Sequence, residues 1–183
     1  MKGSAALFVA VLGIFLLTVV AFAEQIVELD LDGVLGNGPD TIDVAVGAEV
    51  DVDVWLLGGN PLFSFDLVLC NPGGTVEYQG TEYHAPPAWT VYPPEFSQID
   101  CVRILGVDWS YEPFGQPAHT ATITYWTTTE DAFAVIEVDS ENSEVIYADL
   151  SLAPIDSTVR AHIRIGPTAT ECPTWGSIKK LFR

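Results

Sequence analysis

The chain has 183 residues, 25 of them acidic against 7 basic, for a formal net charge of −18, and 49% of it is hydrophobic. A charge of that sign repels nucleic acid and anionic membrane, and no basic stripe interleaved with aromatic residues offsets it, so DNA and RNA are excluded as partners. The length suits one domain with a single sizeable core.

Residues 1–23 open with Lys2, run apolar from Ala5 to Phe22 and end Ala21-Phe22-Ala23, the small-x-small pattern that a signal peptidase cuts. The expectation is a signal peptide and a mature chain that starts at Glu24, with 6 basic residues left against 25 acidic ones once Lys2 is gone. An uncleaved leader is the one route to a membrane, since no later stretch is apolar enough to span.

Strand-like segments follow at 26–31, 41–46, 50–57, 62–70, 75–78, 101–107, 121–128, 133–138, 145–150 and 159–165, punctuated by Gly, Pro, Asn and Asp. The first turn gathers Asp30, Asp32 and Asp40 around Gly36-Asn37-Gly38-Pro39, and a later hairpin gathers Asp139, Glu141 and Glu144. Calcium takes six to eight oxygen ligands, and neither stretch follows the D-x-[DN]-x-[DN]-G loop. A solvated turn is therefore expected in both places, and no cofactor is assigned, with calcium as the alternative. In Val50-Asp51-Val52-Asp53-Val54 the period of two places valines inward and aspartates in water. Segment 62–70 keeps Phe63, Phe65, Leu67 and Leu69 on one face, and a strand with one oily face needs a second sheet to cover it.

Residues 80–100 interrupt the pattern with Pro86, Pro87, Pro93 and Pro94 beside Tyr83, Trp89, Tyr92 and Phe96. Paired prolines are foreign to a central strand, so an ordered excursion over the surface is expected. With Trp109, Tyr111 and Phe114 downstream it forms the most aromatic region of the mature chain. It reads either as a binding platform of Tyr83, Trp89, Tyr92, Trp109 and Tyr111 or as a loop pinned by its own rings.

Three cysteines are present. In an oxidising compartment Cys70, at the end of one strand, and Cys101, at the start of another, are the expected pair, and spacing leaves Cys172 free, bound to another chain, or exchanged into the bridge. No C-x-x-C occurs and His84, His119 and His162 lie far apart, so no metal site is expected. After residue 165 the chain reads as an extended linker and a basic amphipathic tail, 166–183, in which Trp175, Ile178 and Leu181 or Phe182 would share a helical face.

About ten short strands with no internal helix and no Gly-rich phosphate loop predict an all-β fold, an antiparallel sandwich or jelly roll over 24–165. Phe65-Asp66-Leu67-Val68-Leu69-Cys70-Asn71-Pro72, then Thr75-Val76-Glu77-Tyr78, resembles the cohesin-like pattern of an alternating strand led by Phe-Asp, a Tyr-Asp-Pro break and a short second strand. Val46-Gly47-Ala48-Glu49-Val50-Asp51-Val52 is similar to the cohesin opening, and Thr120-Ala121-Thr122-Ile123-Thr124-Tyr125 to its late strand, so the resemblance spans roughly 41–152. Cys70 stands where the pattern has an aromatic, and the Pro- and Trp-rich excursion has no counterpart. The resemblance implies a jelly-roll sandwich and non-catalytic recognition, in the extracellular space or at the cell surface of a bacterium. No cohesin contact residue is matched in this sequence.

Chemistry has little support, since neither a G-x-S-x-G elbow nor an H-E-x-x-H helix occurs, and among 25 acids a pair such as Asp108 and Glu112 carries no weight. The expected function is a secreted, non-catalytic binding or scaffolding module that engages an extracellular protein. The alternatives are a carbohydrate-binding module built on the aromatic platform and a structural surface or adhesion subunit, the last predicting homo-oligomers.

Overall fold

The computed structural model describes residues 24–36, 40–98, 100–130 and 132–166. The expected signal peptide, the tail beyond Gly166 and Cys172 lie outside the described residues. Among the described residues there are thirteen strands and no helix: β1 (Gln25–Asp30), β2 (Asp40–Ala45), β3 (Glu49–Leu57), β4 (Leu62–Cys70), β5 (Val76–Tyr83), β6 (Thr90–Gln98), β7 (Cys101–Val107), β8 (Ala118–Thr127), β9 (Ala132–Val138), β10 (Glu144–Tyr147), β11 (Leu152–Ala153), β12 (Ile155–Val159) and β13 (Ala161–Gly166).

They form two sheets. One runs β12-β1-β3-β8-β5, and the other runs β11-β10-β4-β9-β13-β2 with β7 and then β6 added on the far side of β4. Pairing is antiparallel except where β1 meets β12 and β2 meets β13, both parallel. Alternation decides which residues hide: Val50, Val52, Val54 and Leu56 of β3 are buried, and so are Phe65, Leu67 and Leu69 of β4 and Val102 and Ile104 of β7. These side chains meet between the sheets in one core with Ile123, Ile136 and Ile163. Phe63 is half-buried, edge-on to Trp109.

Cys70 and Cys101 face each other at the end of the β4–β7 ladder and are bridged, with Cα atoms 4.1 Å apart. Gly106 sits opposite Phe65 in the same ladder, and a Cβ there would lie 2.6 Å from the Phe65 ring. A side chain on Gly106 would occupy the space the Phe65 ring fills.

The segment expected to be an excursion is mostly strand. β5 runs on to Tyr83, and β6 pairs with β7 as an edge strand. Pro93 and Pro94 fall where the β6–β7 register shifts between Tyr92 and Glu95. An edge tolerates proline because one side of its backbone has no ladder to complete, and proline also discourages a further chain from adding there. Only 84–89 remains a connecting loop, and Trp89 anchors it: its ring packs on Phe65 and Phe114, and its indole N–H donates to the Glu112 carbonyl at 2.9 Å.

Candidate binding surface

The outward face of β6, β7, β4 and β10 is built by register. In an antiparallel ladder residues directly opposite share a face, so one row runs Tyr92, Leu105, Asp66 and Glu144, and the next runs Thr90, Val107, Ser64 and Ile146. A third carries Glu95, Arg103 and Val68. Leu105, Val107 and Ile146 point away from the core and are half-buried, with Ser64, between Val107 and Ile146, 8% exposed. Between them Arg103 grips Asp66 through two guanidinium nitrogens, Nε at 2.6 Å from Oδ1 and Nη2 on Oδ2. The result is a strip of apolar residues crossed by the Asp66–Arg103 pair and flanked by exposed Glu95 and Glu144. Val68 is the exception in its row, covered by the 139–143 hairpin, where Asp139 N–H donates to its carbonyl and its own N–H donates to Ser143 Oγ.

Beyond β7 the chain forms an aromatic tip. Asp108 is wholly buried, and its Oδ1 accepts from both the N–H and the hydroxyl of Ser110, each at 2.8 Å. That cap fixes the turn that presents Trp109, 65% exposed, and Tyr111, 81% exposed and at φ 61°. Phe114 closes the loop against Leu62 through a reciprocal backbone pair. With Asp108 occupied as a cap and Glu112 exposed, the two acids form no buried catalytic pair.

The five rings expected as a platform therefore separate. Trp109 and Tyr111 stand out at the tip, and Tyr92 lies on the sheet face. Tyr83 is half-buried and donates its hydroxyl to the Tyr92 carbonyl at 2.8 Å, and burial pushes its pKa up to about 12. Trp89 is 6% exposed and belongs to the core, a correction to its place in the platform. No alternation marks 84–89, so its inward ring left no trace in the sequence. Leu105, Val107 and Ile146 escaped sequence reading for the opposite reason: β7 and β10 carry apolar residues on both faces, and period two alone cannot say which face lacks a cover.

The opposite sheet presents a different cluster. Thr120 is a buried bulge residue between the Val54–Ala121 and Trp55–His119 pairs, with its hydroxyl donating to the Val54 carbonyl at 2.9 Å. The bulge sets His119 against Trp55, rings 4.5 Å apart and 11° from parallel, and His84 stacks on His119 at 4.0 Å. Asp53 Oδ1 lies 3.2 Å from His119 Nε2 and accepts from Thr122 Oγ1 at 2.5 Å. Burial lowers the His119 pKa and the His84 ring lowers it further, against the opposing pull of Asp53. Two of the three histidines that lie far apart in sequence are thus neighbours.

In the 139–144 hairpin Asp139 is spent locally, its carboxylate accepting from the N–H groups of Glu141 and Asn142 and from the Asn142 side chain. Asp30, Asp32 and Asp40 instead bring carboxylate oxygens within 4.8 Å of one another.

Solved structures of matching shape include cohesins. A non-cellulosomal cohesin from the hyperthermophilic archaeon Archaeoglobus fulgidus aligns with TM-score 0.60 and 11% identity over 78% of this chain and 91% of that one. The cohesin module of a Clostridium perfringens family 33 glycoside hydrolase aligns with TM-score 0.61 and 9% identity over 80% and 98%. This is the cohesin fold. A cohesin from a type I cohesin–dockerin complex of Clostridium thermocellum aligns with TM-score 0.59 and 13% identity over 79% and 94%. No protein-family model matches the sequence, and no curated protein matches it. The cohesin-like sandwich takes in more than the 41–152 of the sequence resemblance, since β1 and β13 are integral to its two sheets.

Proposed function

We propose that this cohesin-like domain is a non-catalytic module that holds an extracellular protein partner against the outward face of β6, β7, β4 and β10. The observation that carries the reading is the outward strip of exposed Tyr92 and half-buried Leu105, Val107 and Ile146 around the Asp66–Arg103 pair. Similar folds were solved as complexes with dockerins, which supports a protein as the occupant. A bridged Cys70–Cys101 pair and the signal-like residues 1–23 support an extracellular setting.

The test is affinity capture of secreted proteins by the wild-type domain, by Leu105→Glu and by Thr124→Glu on the opposite sheet. A partner kept by Thr124→Glu, lost by Leu105→Glu and then bound one-to-one in calorimetry supports the face. A partner bound equally by all three overturns it.

The exposure of Trp109 and Tyr111 favours a second reading, a sugar ring stacked at the tip. A glycan array probed with wild type and Trp109→Ala distinguishes it: specific spots that vanish in the variant would favour the glycan, and a blank array would leave the protein partner alone.

A further inference from the structure

The β1–β2 connection carries the chain from one sheet to the other, Asp30 closing β1 in the first and Asp40 opening β2 in the second. Acidic carboxylates converge at this crossing. Asp30 is 1% exposed, and its Oδ1 accepts from the N–H groups of Asp32 and Gly33 at 2.9 and 2.8 Å. Asp40 is also buried and accepts the Leu31 N–H through Oδ2 at 2.8 Å. Exposed Asp32 caps Val34 N–H, and buried Glu28 accepts from Gly36 N–H at 2.7 Å. These contacts order residues 31–36.

Asp30 Oδ2 is different: it is buried and has no hydrogen-bond partner. A buried carboxylate oxygen with nothing to accept from is costly, and more so beside a second buried carboxylate. None of the ion pairs formed among the described residues reaches Asp30 or Asp40.

We propose that Asp30, Asp32 and Asp40 form a calcium site that ties the end of β1 to the start of β2, and so one sheet to the other. Oxygens sharing an ion at about 2.4 Å can lie at most about 4.8 Å apart, and the three carboxylates meet that limit. An all-oxygen donor set selects a hard cation, and calcium accepts an irregular shell completed by water, where magnesium demands a tight octahedron.

The experiment is thermal melting of the purified protein at pH 7 in 10 mM CaCl2, in 10 mM MgCl2 and in chelator, with calorimetric titration of CaCl2. The expected result is a calcium-specific rise on the order of 5 °C, with one ion bound per chain. Asp32→Asn, changed at an exposed position, keeps its melting temperature in chelator and loses at least about tenfold in calcium affinity, the loss of one ligand charge. Asp40→Asn melts no lower than wild type in chelator and does not respond to calcium. Glu141→Gln, at the other acidic turn, responds as wild type does. No binding at 10 mM overturns the site, leaving the Asp30–Asp40 pair to share a proton. An equal rise in magnesium, or unchanged affinity in Asp32→Asn and Asp40→Asn, also overturns it, as screening of a chain with net charge −18.

Discussion

The indole of Trp89 lies over the ring of Phe65, centroids 6.0 Å apart and planes 19° from parallel. One ring comes from a connecting loop and the other from a central strand, so the contact turns a Pro-rich stretch into part of the core. Trp89→Ala is expected to cost roughly 3–5 kcal/mol, the range for truncating a buried aromatic. Trp109→Ala, changed at an exposed ring, should stay within about 0.5 kcal/mol. Urea unfolding of the two variants against wild type checks the contrast.

Gly106 faces the same Phe65 ring from β7. Gly106→Ala is expected to destabilise by roughly 1–3 kcal/mol, because the added methyl and the ring claim one space. Pairing it with Phe65→Leu should recover part of that loss, and a double-mutant cycle measures the coupling.

Cys70 and Cys101 lie 31 positions apart in sequence. Chain-entropy arithmetic gives their bridge roughly 3–4 kcal/mol. Replacing both by Ala should lower the melting temperature by about 10 °C while far-ultraviolet circular dichroism stays that of a β protein, since the β4–β7 ladder does not depend on the sulfurs.

His119 gives the domain a pH response. Its folded pKa lies below the ordinary 6.5, first through burial. The unfolded chain therefore takes up the proton earlier as pH falls, and stability drops from about pH 6.5 downward until the folded ring also protonates. Melting temperatures between pH 7.5 and 5 should fall on acidification in wild type, and His119→Gln should flatten that part of the curve.

Leu105→Glu on the outward sheet face is expected to change stability by less than about 1 kcal/mol, because the side chain already meets solvent. Its effect should appear in partner binding alone, with Kd raised at least about tenfold as a carboxylate is forced into an apolar contact.

How far the sequence could be read depended on how each element is stabilised. Residues 50–57 and 62–70 declared their strands because a sheet with one covered face imprints a period of two. β6 did not, since Pro93 and Pro94 are compatible with a strand only at an edge, and edge position is a property of the assembled sheet. β11 is only Leu152 and Ala153, and β12, beyond Pro154, carries half-buried Ser157 and Thr158, so neither left an alternation to find. At the site the exposed Trp109 and Tyr111 were legible as aromatic residues, whereas the inward turn of Trp89 and the meeting of His84 with His119 depend on contacts between distant segments. The acidic turn was legible as a cluster, but the burial of Asp30 and Asp40 was not.

Among the described residues β2 has a single neighbour, β13, and β1 leans on β12 as well as β3. In a nascent chain ending near residue 150, β1 can already pair with β3, whereas β2 has no ladder to join until β13 is made, so closure of the domain is a late event that requires nearly all of its length. Such a chain stays threadable while it is being made, and stiffens only after its far end arrives.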